Sequence, residues 1–190
     1  METICINNGD IRLPKCVATL GVFDGVHKGH QHLIGMVAEQ ARVSGLRSVV
    51  VTFDRSPRQV LDASFHPQLL TTLEEKRDII SHMGVDYLVV LPFTKELAAL
   101  TAREVMQQIL HKQLNAAVLI TGYDNRFGHH REEGFDDYVR YGEEMGMQVM
   151  RGDAELMTDG KEAVSSSIIR QLLLEGHVEL MPQCLTRLYQ

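Results

Sequence analysis

Apolar residues fall into short, β-branched runs separated by stretches in which they recur every three or four positions. The runs at residues 17–23, 47–53, 87–91, 117–121 and 148–151 predict short buried strands. Between the first two, residues 32–43 carry Leu33, Ile34, Val37, Ala38 and Ala41 on one stripe, and Gly45 follows as a helix stop. Thr72 with Glu75 forms a capping box that opens a helix running to Met83 before Gly84 stops it, and Thr101 with Glu104 opens another ending near Leu114. A further helix is expected over residues 135–145. Strands alternating with helices predict an α/β chain: a Rossmann-like parallel sheet with helices on both faces. Ligands bind such sheets beyond the carboxyl ends of the strands.

The chain of 190 residues predicts a single domain over 1–190, with a small insertion formed by the irregular connections at 54–71 and 92–100. Hydrophobic residues make up 44% and charged residues 23%, enough for a core without a metal or disulfide staple. Cys5, Cys16 and Cys184 form no CxxC pair, which suits a reducing, cytoplasmic setting. No signal peptide or apolar membrane span is apparent. The net charge of −6 argues against nucleic acid as a partner, whereas a small phosphorylated ligand needs only a local basic pocket.

That pocket is sought at Gly21-Val22-Phe23-Asp24-Gly25-Val26-His27-Lys28-Gly29-His30, where the first strand passes into the first helix. Gly21, Gly25 and Gly29 permit close backbone approach, a helix start favours an anion, and the paired imidazoles of His27 and His30 can donate to a phosphate. Zinc is a poorer reading, because the two histidines lack the HExxH glutamate and a nearby cysteine. A second cluster, Thr121-Gly122-Tyr123-Asp124-Asn125-Arg126-Phe127-Gly128, follows another strand. There Asp124 suits ribose hydroxyls or Mg²⁺, Arg126 suits a phosphate and Phe127 suits a ring, although the same residues make ordinary turns. His129, His130 and Arg131 read as a solvated basic loop. A third segment, Val164-Ser165-Ser166-Ser167-Ile168-Ile169-Arg170, reads equally well as a plain N-cap before a helix closed by Gly176.

Together these segments resemble the HxGH nucleotidyltransferase superfamily, and within it the FMN adenylyltransferase (FAD synthetase) module of bacterial bifunctional riboflavin kinase/FAD synthetases. The family pattern GxFDGVHxGH is complete, and the likeness extends over residues 17–189. The resemblance implies an enzyme that transfers AMP from ATP, with Mg²⁺, to FMN, giving FAD and pyrophosphate. It implies His27, His30 and Arg170 as catalytic residues. Gly21, Phe23, Asp24, Gly25, Gly29, Asp124, Ser166 and Ser167 would bind the nucleotide, and Phe53, Arg126 and Phe127 the acceptor.

Some positions depart from the family pattern. Asn125 replaces an aromatic residue, Ser167 a threonine, Arg55 a proline and Ser56 a histidine, the last two in a loop that lies near the substrates in the family. Leu185-Thr186-Arg187-Leu188-Tyr189 resembles the LGRPY leading into the kinase module, so a separate riboflavin kinase is expected upstream. Two alternatives stay open: nucleotidyl transfer to another phosphorylated acceptor such as nicotinamide mononucleotide, and a nucleotide- or flavin-binding module without turnover.

Overall fold

The computed structural model describes residues 1–6, 11–62, 64–65, 68–153 and 163–187. The five expected strands are present as β2 (Cys16–Leu20), β3 (Arg47–Phe53), β4 (Tyr87–Leu91), β5 (Ala116–Thr121) and β6 (Gln148–Arg151). A further strand, β1 (Glu2–Cys5), precedes them; it is a short edge strand with no fully buried position, so no apolar alternation marks it. All pair in parallel in the order β1-β4-β3-β2-β5-β6. Burial of both sheet faces explains the continuous apolar runs. Val49 and Val51 enter the core on one face and Val50 the core on the other, as period-two alternation requires.

One face is covered by α1 (Lys28–Ser44), through Leu33, Ile34, Val37 and Ala41, and by α3 (Leu73–Ser81), through Ile80. The other face is covered by α6 (Phe135–Met145) and by α5 (Ala102–Glu104), which continues as a wider π-helix over Val105–Gln113. The capping boxes at Thr72 and Thr101 form as expected, with the glutamate side chain returning to the backbone N–H at 2.7 and 2.8 Å. The connections at 54–71 and 92–100 are not wholly irregular: they contain α2 (Pro57–Leu61) and α4 (Lys95–Ala99), which pack together after the carboxyl ends of β3 and β4.

Chain order reverses around β2. From β2 the chain proceeds outward through β3 to β4, then crosses back to place β5 on the other side of β2. This switch point leaves a crevice between the ends of β2 and β5, where Gly21 and Gly122 stand. A third, smaller core beside it joins Leu70, Val164, α7 (Ser166–Leu174) through Ile169, and α8 (Met181–Leu185) through Met181, Cys184 and Leu185.

Candidate functional site

The glycine-rich segment leaves the sheet sooner than its apolar character suggests. After Leu20 the chain turns through Phe23 in the left-handed region (φ 51°) and a 3-10 turn over Asp24–Val26. Gly25, at φ 79°, allows this turn; a Cβ there would lie 2.9 Å from Cδ1 of Leu70. Helix α1 therefore begins earlier than its stripe implies, with His27 as N-cap. The His27 Nδ1 accepts the His30 N–H at 3.4 Å, which fixes the proton of the neutral ring on Nε2. The imidazoles stack at 3.6 Å between centroids, and Phe23 meets His30 edge-on at 5.1 Å.

Burial pushes the His27 pKa from 6.5 down to about 4, against an upward pull from Asp124 and Asp24. Burial also holds His30 well below 6.5, reinforced by His27 and Lys76. Both rings are thus neutral hydrogen-bonding groups near pH 7. The His30 Nδ1 is enclosed and has no hydrogen-bond partner among the described residues.

Asp24 is the hub of this turn. Its Oδ1 accepts the N–H groups of Leu70 and Thr71 at 2.9 and 3.2 Å, its Oδ2 pairs with Arg170, and its carbonyl accepts the Ser166 hydroxyl at 2.8 Å. Arg170 also donates from Nε to the Gln68 carbonyl at 2.8 Å. The α7 cap falls on Ser165, whose hydroxyl accepts the Ile168 N–H, so the plain N-cap reading applies to that serine. Ser167 remains exposed at the helix start.

His27, His30, Gly21, Phe23, Asp24, Gly29, Asp124, Ser166, Ser167 and Arg170 converge on one cavity of about 540 Å³. Gly25 is the exception among the residues assigned to the nucleotide: it supports the wall, donating its N–H to the Thr71 hydroxyl at 3.0 Å. Phe53, Arg126 and Phe127 line a neighbouring cavity of about 450 Å³, walled largely by apolar side chains including Leu61, Phe93 and Leu97. There Phe127 stacks on Tyr138 at 4.4 Å and Phe53 meets Phe93 edge-on at 5.1 Å. The two cavities share Leu20, Gly21, Val22, Asn125 and Arg131.

Residues 10–168 match the family described as FAD synthetase. The chain belongs to the FAD synthetase family. Within it, the chain is 34% identical over 165 residues to the bifunctional riboflavin kinase/FMN adenylyltransferase of Escherichia coli K12, covering 87% of this chain and 52% of that protein. The namesake protein of Bacillus subtilis 168 is 34% identical over 176 residues, again 87% and 52%. A putative bifunctional riboflavin kinase/FMN adenylyltransferase of Geobacillus thermodenitrificans is 33% identical over 90% of both chains. The chain thus spans about half the length of the Escherichia and Bacillus relatives. A crystal structure of a macrolide-efflux protein from Streptococcus pneumoniae superposes with a TM-score of 0.84 and 30% identity, covering 98% of this chain and 71% of that one. No helix among the described residues is long and apolar enough to cross a membrane. The FAD synthetase match takes in both histidines, the 121–128 turn and Ser165 to Ser167, and stops short of Arg170.

The departures from the family pattern have local uses. Arg55 pairs with Asp54 at 3.0 Å, and Ser56 is the N-cap of α2, its N–H received by Gln59 at 3.1 Å. The Asn125 side chain donates to the Leu20 carbonyl at 2.6 Å and closes the end of β2. Residues 188–190 lie outside the described residues.

Three participants went unread in the sequence. Lys76 is buried, donating to the Val22 carbonyl at 2.6 Å and the Thr52 hydroxyl at 3.3 Å, and burial lowers its pKa from 10.5 to about 8. The available signal was its position one turn before Ile80 on a buried stripe. Tyr138 receives the Phe127 N–H at 3.1 Å and so fixes the apolar cavity's wall. Arg131, read as part of a solvated loop, borders both cavities.

Proposed function

We propose that this chain transfers AMP from ATP to the phosphate of FMN, releasing pyrophosphate and forming FAD. The observation that carries this reading is the paired cavities. One is polar and holds the two neutral imidazoles with the α7 start; the other is apolar and aromatic; they meet at Gly21 and Val22. A triphosphate in the first and a flavin ring in the second would bring two phosphates together at that meeting point.

An FMN phosphate oxygen attacks the ATP α-phosphorus, the new P–O bond forms as the bond to the bridging oxygen breaks, and pyrophosphate leaves. A phosphate monoester is already mostly dianionic at neutral pH, so the acceptor needs no strong base. Catalysis then rests on alignment and on donors aimed at developing charge. The His27 Nε2–H and the His30 ring serve as such donors, and Ser167 and Arg170 close on the phosphates from α7. Mg²⁺ would arrive with ATP and neutralise its phosphates. Asp124 and Asp153, both on the polar cavity, fit a metal held by one or two carboxylates together with substrate phosphates.

The deciding experiment incubates purified protein with Mg²⁺, ATP and FMN and follows FAD by chromatography and pyrophosphate by a coupled assay, with riboflavin and nicotinamide mononucleotide as alternative acceptors. FAD with stoichiometric pyrophosphate is expected from FMN alone. Pyrophosphate release with nicotinamide mononucleotide instead would reassign the acceptor, and FMN binding without any pyrophosphate would make the chain a binding module.

A further inference from the structure

We infer that Arg131 is the residue that recognises the acceptor's phosphate and so separates a phosphorylated flavin from its unphosphorylated form; this rests on the proposed reaction. Among the residues shared by the two cavities, Leu20, Gly21, Val22 and Asn125 are uncharged and Arg131 is the cation. The acceptor's phosphate must occupy that junction, because its ring belongs to the apolar side and its attacking oxygen must reach the polar side.

Two details assign Arg131 to the acceptor instead of the triphosphate. The chain leading to it, Arg126 to His129, borders the apolar cavity and not the polar one. Its Nε donates to the Arg126 carbonyl at 3.0 Å, which anchors one edge of the guanidinium on that same segment. Its backbone stands at φ 55°, in the left-handed region that asparagine and glycine adopt most readily. The side chain is exposed and makes no ion pair with a carboxylate among the described residues, so its charge is available to a ligand.

The test measures FMN and riboflavin affinity by quenching of flavin fluorescence, without ATP, for wild type, Arg131→Asn and Arg131→Lys. Asparagine suits a positive φ, so Arg131→Asn removes the cation without burdening the backbone. FMN affinity should fall by about ten- to a hundredfold in Arg131→Asn, as expected for loss of a charge-assisted hydrogen bond. Riboflavin affinity should change less than about twofold, and Arg131→Lys should recover part of the preference. An unchanged ratio of FMN to riboflavin affinity in Arg131→Asn would overturn the assignment. Failure of the wild type to form FAD from ATP and FMN would instead overturn the proposed reaction, so the two failures are distinct.

Discussion

The stacked histidines give the protein an acid-labile point that can be measured without substrate. Burial depresses the His27 pKa from 6.5 to about 4, so the unfolded chain binds a proton that the folded chain refuses between those values. Stability therefore rises with pH across this window and is lost as pH falls, up to about 3 kcal/mol for His27 alone. His30 is shifted in the same direction, mainly by burial, and adds to the slope. Asp62 and Glu75, held low by hydrogen bonds from Ser64 and Thr72, withdraw their contribution mostly below about pH 4.5, so the windows separate. The perturbation is His27→Asn, because asparagine is a good N-cap and can still accept the His30 N–H while carrying no titratable group. Urea unfolding at fixed ionic strength from about pH 4.5 to 6.5 should give a slope smaller than wild type by about 1 kcal/mol per pH unit near mid-window. A variant displaced in overall stability but parallel to wild type throughout this range would refute the claim that the buried neutral His27 ring is the source.

Other expectations follow from the same geometry. His30→Ala should lower kcat for FAD formation by about 10²- to 10³-fold, as for loss of one transition-state donor, and near wild-type turnover would remove its role. Lys76 is depressed by burial from 10.5 to about 8, so the unfolded chain holds the extra proton above that value and stability should increase by about 1 kcal/mol from pH 8 to pH 9. Lys76→Met should flatten that rise in denaturation measurements. Phe93→Ala, in the apolar cavity, should raise the KM for FMN about tenfold with little change in the KM for ATP, which initial-rate kinetics would show. Asp24→Asn leaves Arg170 without its countercharge and should cost about 2 to 3 kcal/mol of stability, read by chemical unfolding, because the carboxylate is only 5% exposed.

Much of this was legible because the signals are local. Apolar runs located every strand except β1, whose short, half-buried edge position carries no pattern. Capping chemistry fixed the start of α3 at Thr72 and of the helix after Thr101. The stripe of α1 did not reveal its first turn, because His27, Gly29 and His30 line the crevice and add nothing to the apolar stripe. Strand ends were readable as site positions, but the division of the site into two cavities was not. It depends on α2 and α4 packing across the ends of β3 and β4, a tertiary event between segments that look irregular in isolation. Arg131 and Lys76 were missed because their roles are also tertiary: Arg131 appears solvated until the crossover brings β5 beside β2, and Lys76 appears an ordinary helical position until α3 packs it against the Val22 carbonyl and the Thr52 hydroxyl.

The polar cavity owes less to net positive charge than its sequence suggests. Arg170 is bound to Asp24, so that pair contributes little net field, and the adjacent imidazoles are neutral. What remains, apart from Arg131 at the junction with the apolar cavity, is a set of oriented donors, from the His27 and His30 rings to the starts of α1 and α7. Asp24 organises them: its carboxylate holds Leu70, Thr71 and Arg170, while its carbonyl holds Ser166. Residues separated by well over a hundred positions are thereby locked together before any ligand arrives. Such preorganisation reduces the reorganisation required when charge develops, which is where neutral donors are most effective. Arg170 itself is engaged through Nε and one terminal nitrogen, and its other terminal nitrogen lies outside this network. The guanidinium can therefore meet a phosphate without leaving Asp24, and the buried carboxylate serves as the arm that holds it in place.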